Sequence, residues 1–166
     1  MSYYCENNCC FYKKIDYEEK PIRKYIRRKN KKKAGVLVYD QNARKILLVQ
    51  SKGKLWGPPK GTVEESETFL DCAKRELKEE TGLEFPDNYY NIGSHVKSNA
   101  FYFFICTNIM DVNVQNAHKN DANGIGWFSV DCIKNMKFDI NQHCKLTLRK
   151  FLEIDFPKKQ KNLLIN

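Results

Sequence analysis

The 166-residue chain has no apolar run approaching the ~20 residues a membrane-spanning helix needs, which excludes helical membrane proteins and makes no membrane partner the expectation. No charged-then-apolar leader with a small-residue cleavage site opens it, and its seven cysteines are an odd number. A disulfide-stapled secreted scaffold is therefore a poor fit, and reduced thiols in the cytoplasm, with the nucleus as an alternative, are expected. Cys5, Cys9 and Cys10 form a C-x3-C-C cluster, yet no second pair stands at zinc spacing, because Cys72, Cys106, Cys132 and Cys144 are scattered. The thiols thus read as small core hydrophobes or bystanders. Internal repeats are lacking too, and the length leaves no room for a second full domain.

Basic charge, by contrast, is plentiful and unevenly placed. The formal net charge is +9, and "KPIRKYIRRKNKKK", Lys20 to Lys33, holds nine basic residues and no acidic one. This stretch reads either as a solvated flexible arm or as a polyanion-binding segment, since clustered Lys and Arg release counterions from phosphates. Arg27, Arg28, Lys29, Lys31, Lys32 and Lys33 are the candidate nucleic-acid contacts. "RRKNKKK" also fits a nuclear address.

The chain divides into a basic N-terminal arm over residues 1–33, a folded domain over 34–154 and a basic tail over 155–166. The first segment is polar and lacks clear periodicity. "AGVLVYD" and "RKILLVQSK", separated by a polar turn, predict a hairpin. "GKLWGPPKG" packs three glycines and two prolines into nine residues and predicts a shaped loop. Phe69, Leu70, Ala73 and Leu77 recur at helical spacing between an N-cap at Ser66 and a stop at Gly82, which predicts a helix from about Glu67 to Thr81. "YYNIGSHV", "AFYFFICTN" and "GIGWFSV" predict strands, and "VDCIKNM" and "CKLTLRKFLEI" a short and a longer helix. Such a mixture indicates an α/β or α+β layer structure.

Glu76, Glu79 and Glu80 stand at i, i+3 and i+4, so they share one helix face and repel unless a cation compensates. Hard divalent ions take oxygen ligands, commonly one or two carboxylates together with substrate phosphates. The competing interpretation is a solvated acidic face stapled by Lys74, Arg75 and Lys78.

From Gly61 to Leu83 the residues satisfy G-x5-E-x7-R-E-U-x-E-E-x-G-U, where U is a bulky aliphatic, at every specified position. The chain thereby resembles the Nudix hydrolases. The resemblance implies an α/β/α sandwich around a mixed central β-sheet, and hydrolysis of a pyrophosphate bond with magnesium or manganese. It implies metal ligation by Glu76, Glu79, Glu80 and the Gly61 backbone carbonyl. Arg75 would orient the carboxylates together with Glu67, and Glu80, then Glu76, would be the general base.

"ILLVQ", "WGPPKG", "DCAKRELKEETG" and "IGWFSV" together are similar to the Nudix domain of the catalytic subunit of mRNA decapping enzymes. That likeness implies a capped-RNA substrate, a phosphate contact from Lys60, and a further metal ligand six residues before Trp127. Asp121 stands there, shorter than the family's usual Glu. Trp56 and Trp127 are candidates for stacking on a base, against the alternative of core anchors. Cellular decapping enzymes carry a helical regulatory domain before the Nudix domain, which 33 residues cannot build. Pro59 in the loop fits diadenosine tetraphosphate hydrolases equally well. A small nucleotide or an inositol pyrophosphate is therefore the alternative substrate, and a non-catalytic RNA-binding module the alternative class. The lysine- and asparagine-rich composition also resembles decapping-like enzymes of large DNA viruses.

Overall fold

Apolar residues fill consecutive positions in the runs that follow Lys33 and Lys45. Successive strand side chains point to opposite faces, so these runs call for cover on both sides of a sheet. The computed structural model describes residues 2–14, 31–50, 54–86, 92–107, 122–135 and 138–153. Its strands are β1 (Ser2–Tyr4), β2 (Phe11–Lys14), β3 (Lys33–Asp40), β4 (Lys45–Gln50), β5 (Lys60–Thr62), β6 (Gly93–Lys97), β7 (Ala100–Thr107) and β8 (Gly124–Ser129). The helices are α1 (Phe69–Thr81), α2 (Val130–Lys134) and α3 (Gln142–Leu152).

The strands form one sheet in the order β1-β2-β8-β4-β3-β7-β6, with β5 also paired to β3. The long pair β3 and β7 runs parallel and the others run antiparallel, so the sheet is mixed. Alternation divides the core in two. Val36, Val38, Leu47, Val49, Phe103 and Ile105 pack with Cys72, Ala73 and Leu77 of α1. Leu37, Ile46, Leu48, Tyr102, Phe104 and Phe128 pack with Ile133 of α2 and with Cys144, Leu148 and Phe151 of α3. The result is the expected α/β/α sandwich.

The hairpin turn between β3 and β4 closes where Ala43 N–H donates to Asp40 Oδ1 at 2.9 Å. The glycine- and proline-rich loop is tied on two sides: Gly57 exchanges backbone bonds with Val49 at 2.8 and 2.9 Å, and Trp56 N–H reaches Asp139 O at 2.8 Å. Helix α1 starts later than Ser66 predicts. Ser66 sits at φ 71°, whereas a capping residue needs an extended backbone. Thr68 has that conformation and forms a capping box with Asp71: its Oγ1 accepts from Asp71 N–H at 3.1 Å and Asp71 Oδ2 accepts from Thr68 N–H at 3.2 Å. The other end stops as predicted, at Gly82 with φ 76°.

The opening residues differ from their description as an unpatterned lead-in. Residues 2–14 form a tight antiparallel hairpin, and its second strand pairs with β8 from Phe11 opposite Trp127 to Lys14 opposite Gly124. Among the described residues no helix is long and apolar enough to cross a membrane.

Candidate active site

Helix α1 buries one side against β3, β5 and β7, and this docking carries its carboxylate face toward the strand that holds Gly61. Arg75 stands at the centre. Its Nε and Nη2 donate to the two oxygens of Glu67 at 2.7 and 3.0 Å, a fork on a fork. Nη1 donates to Glu76 Oε1 at 2.8 Å and to Glu79 Oε2 at 3.1 Å. Nη2 also reaches the Thr62 carbonyl at 3.2 Å, which binds the helix to β5. Lys78 pairs with Glu84, and Lys74 Nζ lies 5.8 Å from the Phe85 ring centroid. Of the three basic residues that could staple a solvated acidic face, Arg75 alone contacts this cluster in the contacts described.

The carboxylates are not a solvated face. Glu80 is only 3% exposed, and its Oε2 accepts the Lys60 backbone N–H at 2.9 Å. Burial raises the pKa of Glu76 against the opposing pull of Arg75, while the Glu79 side chain keeps 45% exposure. The Arg75 hydrogen bonds hold Glu67 down at about 2, and Glu67 in turn raises Arg75 further into its charged range. Glu67 therefore serves Arg75 as a permanent partner, while a buried carboxylate and an open one flank the same guanidinium.

Gly61 makes the arrangement possible. A Cβ there would lie 1.7 Å from Glu76 Oε1 and 2.0 Å from its carboxyl carbon. The Glu76 carboxylate thus rests directly on the β5 backbone, a place no other residue type leaves free. Carboxylate oxygens beside a main-chain segment are the donor chemistry of a hard divalent cation rather than of a soft one.

Behind β5 lies a polar pair that sequence reasoning missed. Tyr102 Oη and His143 Nδ1 are 3.0 Å apart. Burial lowers the pKa of His143 to about 4, with repulsion from Lys97, Lys60 and Lys33 acting in the same direction. This imidazole is therefore neutral near pH 7, and three lysines from three different strands converge near it. No local spacing announces this, because β3, β5 and β6 meet only in the sheet.

The tryptophans require a correction. Trp56 is 3% exposed and packs against Phe128 and Tyr12, at ring centroid distances of 4.7 and 5.5 Å. Trp127 is 8% exposed and belongs to the core beneath α1. Neither offers an open ring face, so the stacking roles are withdrawn. Asp121, Arg27, Arg28 and Lys29 lie outside the described residues. Lys31 and Lys32 are exposed, and Lys33 opens β3 opposite Thr62, one position from the Ala34 and Gly61 pair.

Residues 29–148 match the NUDIX domain family. The chain belongs to the Nudix hydrolases, enzymes that cleave pyrophosphate bonds and typically use a divalent metal. It is 34% identical over 142 residues to the 111R protein of Invertebrate iridescent virus 3, covering 83% of this chain and 80% of that one. It is 28% identical over 112 residues to mRNA-decapping enzyme subunit 2 of Saccharomyces cerevisiae, covering 64% of this chain and 12% of the yeast protein. The mRNA-decapping protein g5R of African swine fever virus (strain Badajoz 1971) is 36% identical over 90 residues, 51% of this chain and 35% of that protein.

Two solved structures share the fold. A bifunctional NMN adenylyltransferase/ADP ribose pyrophosphatase from Francisella tularensis, complexed with AMP and a manganese ion, gives a TM-score of 0.60 at 21% identity over 75% of this chain and 41% of that one. A C. elegans Ap4A hydrolase gives 0.52 at 25% identity, over 74% of this chain and 96% of that one.

Proposed function

We propose that this Nudix hydrolase removes the 7-methylguanosine cap from RNA, releasing 7-methylguanosine diphosphate and leaving a 5′-monophosphate end. The observation that carries the chemistry is the carboxylate cluster gathered on Arg75 and seated on Gly61. Support for the substrate comes from two relatives named for mRNA decapping, one cellular and one viral, each of which the chain spans only in part. The basic segment gives further support. Its last residues run into β3 beside β5, so a bound RNA backbone would be led to the same strand that carries the site.

In this mechanism Glu76, Glu79 and Glu80 would hold magnesium or manganese, with the Gly61 carbonyl and Asp121 as further ligands. The ion, when bound, neutralises charge on the bridged phosphates and activates water. Arg75 fixes Glu76 and Glu79, and Glu67 fixes Arg75. Glu80 takes a proton from the attacking water as its oxygen bonds to phosphorus and the bridging phosphate oxygen departs on the diphosphate. The Lys60 ammonium holds a phosphate oxygen, the role of a compact point charge. Glu80→Gln preserves an acceptor for the Lys60 N–H, so it should keep the fold while lowering turnover by about 10²- to 10⁴-fold. Turnover at the wild-type rate would remove Glu80 as the base. The setting is cytoplasmic or nuclear, as the basic segment allows.

A second reading, hydrolysis of a dinucleoside polyphosphate, is favoured by one observation: nearly the whole length of a C. elegans Ap4A hydrolase is matched in fold. Cap-labelled RNA, diadenosine tetraphosphate and a diphosphoinositol polyphosphate are offered side by side to the purified protein with magnesium or manganese. Release of 7-methylguanosine diphosphate well above turnover of either small molecule is the expected result. Preference for a small substrate moves the protein to the second class, and no turnover of any of the three leaves a binding module.

A further inference from the structure

The turn of the first hairpin, "CENNCC", bends through Asn8 at φ 53° and returns Cys9 and Cys10 beside Cys5. Strand β2 pairs with β8, and β8 runs directly into α2, which carries Cys132. A residue 123 positions from Cys9 is thereby brought to it, Sγ to Sγ at 3.2 Å. Cys5 and Cys9 sulfurs are 3.4 Å apart, those of Cys9 and Cys10 3.9 Å, and all four lie within 4.8 Å of one another. Cys10 and Cys132 are buried and Cys5 and Cys9 partly so.

We propose that Cys5, Cys9, Cys10 and Cys132 form a structural zinc site that fastens the N-terminal hairpin to the start of α2. Zinc holds thiolate sulfur at ~2.3 Å, so the sulfurs of a regular tetrahedron are about 3.8 Å apart. The three separations at 3.2, 3.4 and 3.9 Å, with all four sulfurs within 4.8 Å of one another, span that edge. They are well beyond the ~2.05 Å of a disulfide, and the four thiols are free. Four soft ligands select zinc over magnesium or manganese, and a set of four leaves no open position for substrate, so the site is structural rather than catalytic.

Backbone donors face two of the sulfurs. Ser129 N–H points at Cys10 Sγ at 3.2 Å and Cys10 N–H at Cys5 Sγ at 3.3 Å, the kind of outer support that orients metal-bound sulfur. The site is remote from the carboxylates: Cys10 and Cys132 belong to the core on the α3 face of the sheet, whereas Glu76 lies against β5 under α1. What the ion secures is the edge of the sheet. Strand β2 presents Tyr12, which stacks on Phe128 at 5.6 Å and meets Trp56 edge-on at 5.5 Å, and Trp56 opens the loop that leads to Lys60 and Gly61.

The test uses the full chain, purified under reducing conditions. Metal analysis should find about one zinc per chain, retained in excess magnesium that clears the carboxylates. Cobalt substitution should give the intense near-ultraviolet charge-transfer absorption of thiolate ligands, which the oxygen ligands of α1 cannot produce. Cys9→Ser with Cys132→Ser should reduce zinc at least tenfold, while Cys106→Ser, outside the cluster, keeps it. Chelation should lower the Tm of wild type and leave that of the double variant unmoved. Loss of folding in the double variant leaves the cobalt spectrum of wild type as the deciding reading. Zinc below a tenth of an equivalent in zinc-supplemented protein, a cobalt spectrum without charge transfer, or a Cys5–Cys9 or Cys9–Cys132 disulfide in its place would overturn the site.

Discussion

At Gly61 the margin is one hydrogen atom. Its replacement by a methyl group puts carbon 1.7 Å from Glu76 Oε1, so Gly61→Ala must push the carboxylate off β5. The expected outcome is a fall in metal-dependent turnover of at least tenfold with the circular dichroism of the fold retained, because the strand itself accepts alanine. Glu67 gives a different signature. Arg75 holds its pKa at about 2, below its ordinary 4.5, so the folded state favours the charged form. A depressed carboxylate contributes stability above its unfolded pKa and loses it as pH falls through the folded value. The window is therefore from about 4.5 down to about 2. Glu67→Gln should cost about 2 kcal/mol near neutral pH by denaturant titration, a charge-assisted hydrogen bond's worth, and the gap from wild type should close across that window. A gap constant with pH would mean that packing, not charge, accounts for the loss.

At the level of the elements, α1 was legible because two patterns coincide on it: an apolar stripe and a spaced set of carboxylates. Its first residue was not, since Ser66 and Thr68 are both capping types and only φ separates them. Thr68→Ala removes the side-chain acceptor of the capping box and should lower stability by about 1 kcal/mol, whereas Ser66→Ala should change it little; thermal melts of the two variants distinguish them. Strands β3, β4, β7 and β8 were legible as apolar runs because both of their faces are covered. Strands β1 and β2 were not. They are three and four residues long, and β2 joins the sheet through β8, more than a hundred positions away. The same distance hid Cys132 from the other three thiols, since ligand spacing is readable only when all ligands are local. For the tryptophans the sequence left base stacking and core anchoring open, and burial selects the second: an aromatic ring in a loop looks alike in sequence whether the loop faces ligand or, as at Trp56, is folded onto Phe128.

Across the whole molecule, charge and site are joined by the sheet. The basic segment carries as many positive charges as the net +9 of the chain, and its end is fixed in place: Lys33 N–H donates to Asn99 O at 2.7 Å, and Val63 N–H to Lys32 O at 3.0 Å. Lys31 to Lys33 are thus bound between β5 and the β6–β7 turn, alongside the strand that seats Glu76. Charge held at that place acts on a polyanion whose reacting phosphate lies at the carboxylates, and it acts through counterion release, whose mark is salt dependence. Replacing Lys29, Lys31, Lys32 and Lys33 by Ala should weaken binding of capped RNA and reduce the slope of log K against log salt by about 3, at ~0.7 per single-strand phosphate contact. Turnover of a dinucleotide at saturating concentration should hardly change, because the carboxylates and Lys60 are untouched. If RNA affinity and its slope both stay at wild-type values, the segment takes no part in substrate binding. If instead the dinucleotide rate falls in step with RNA affinity, the lysines act on the site itself.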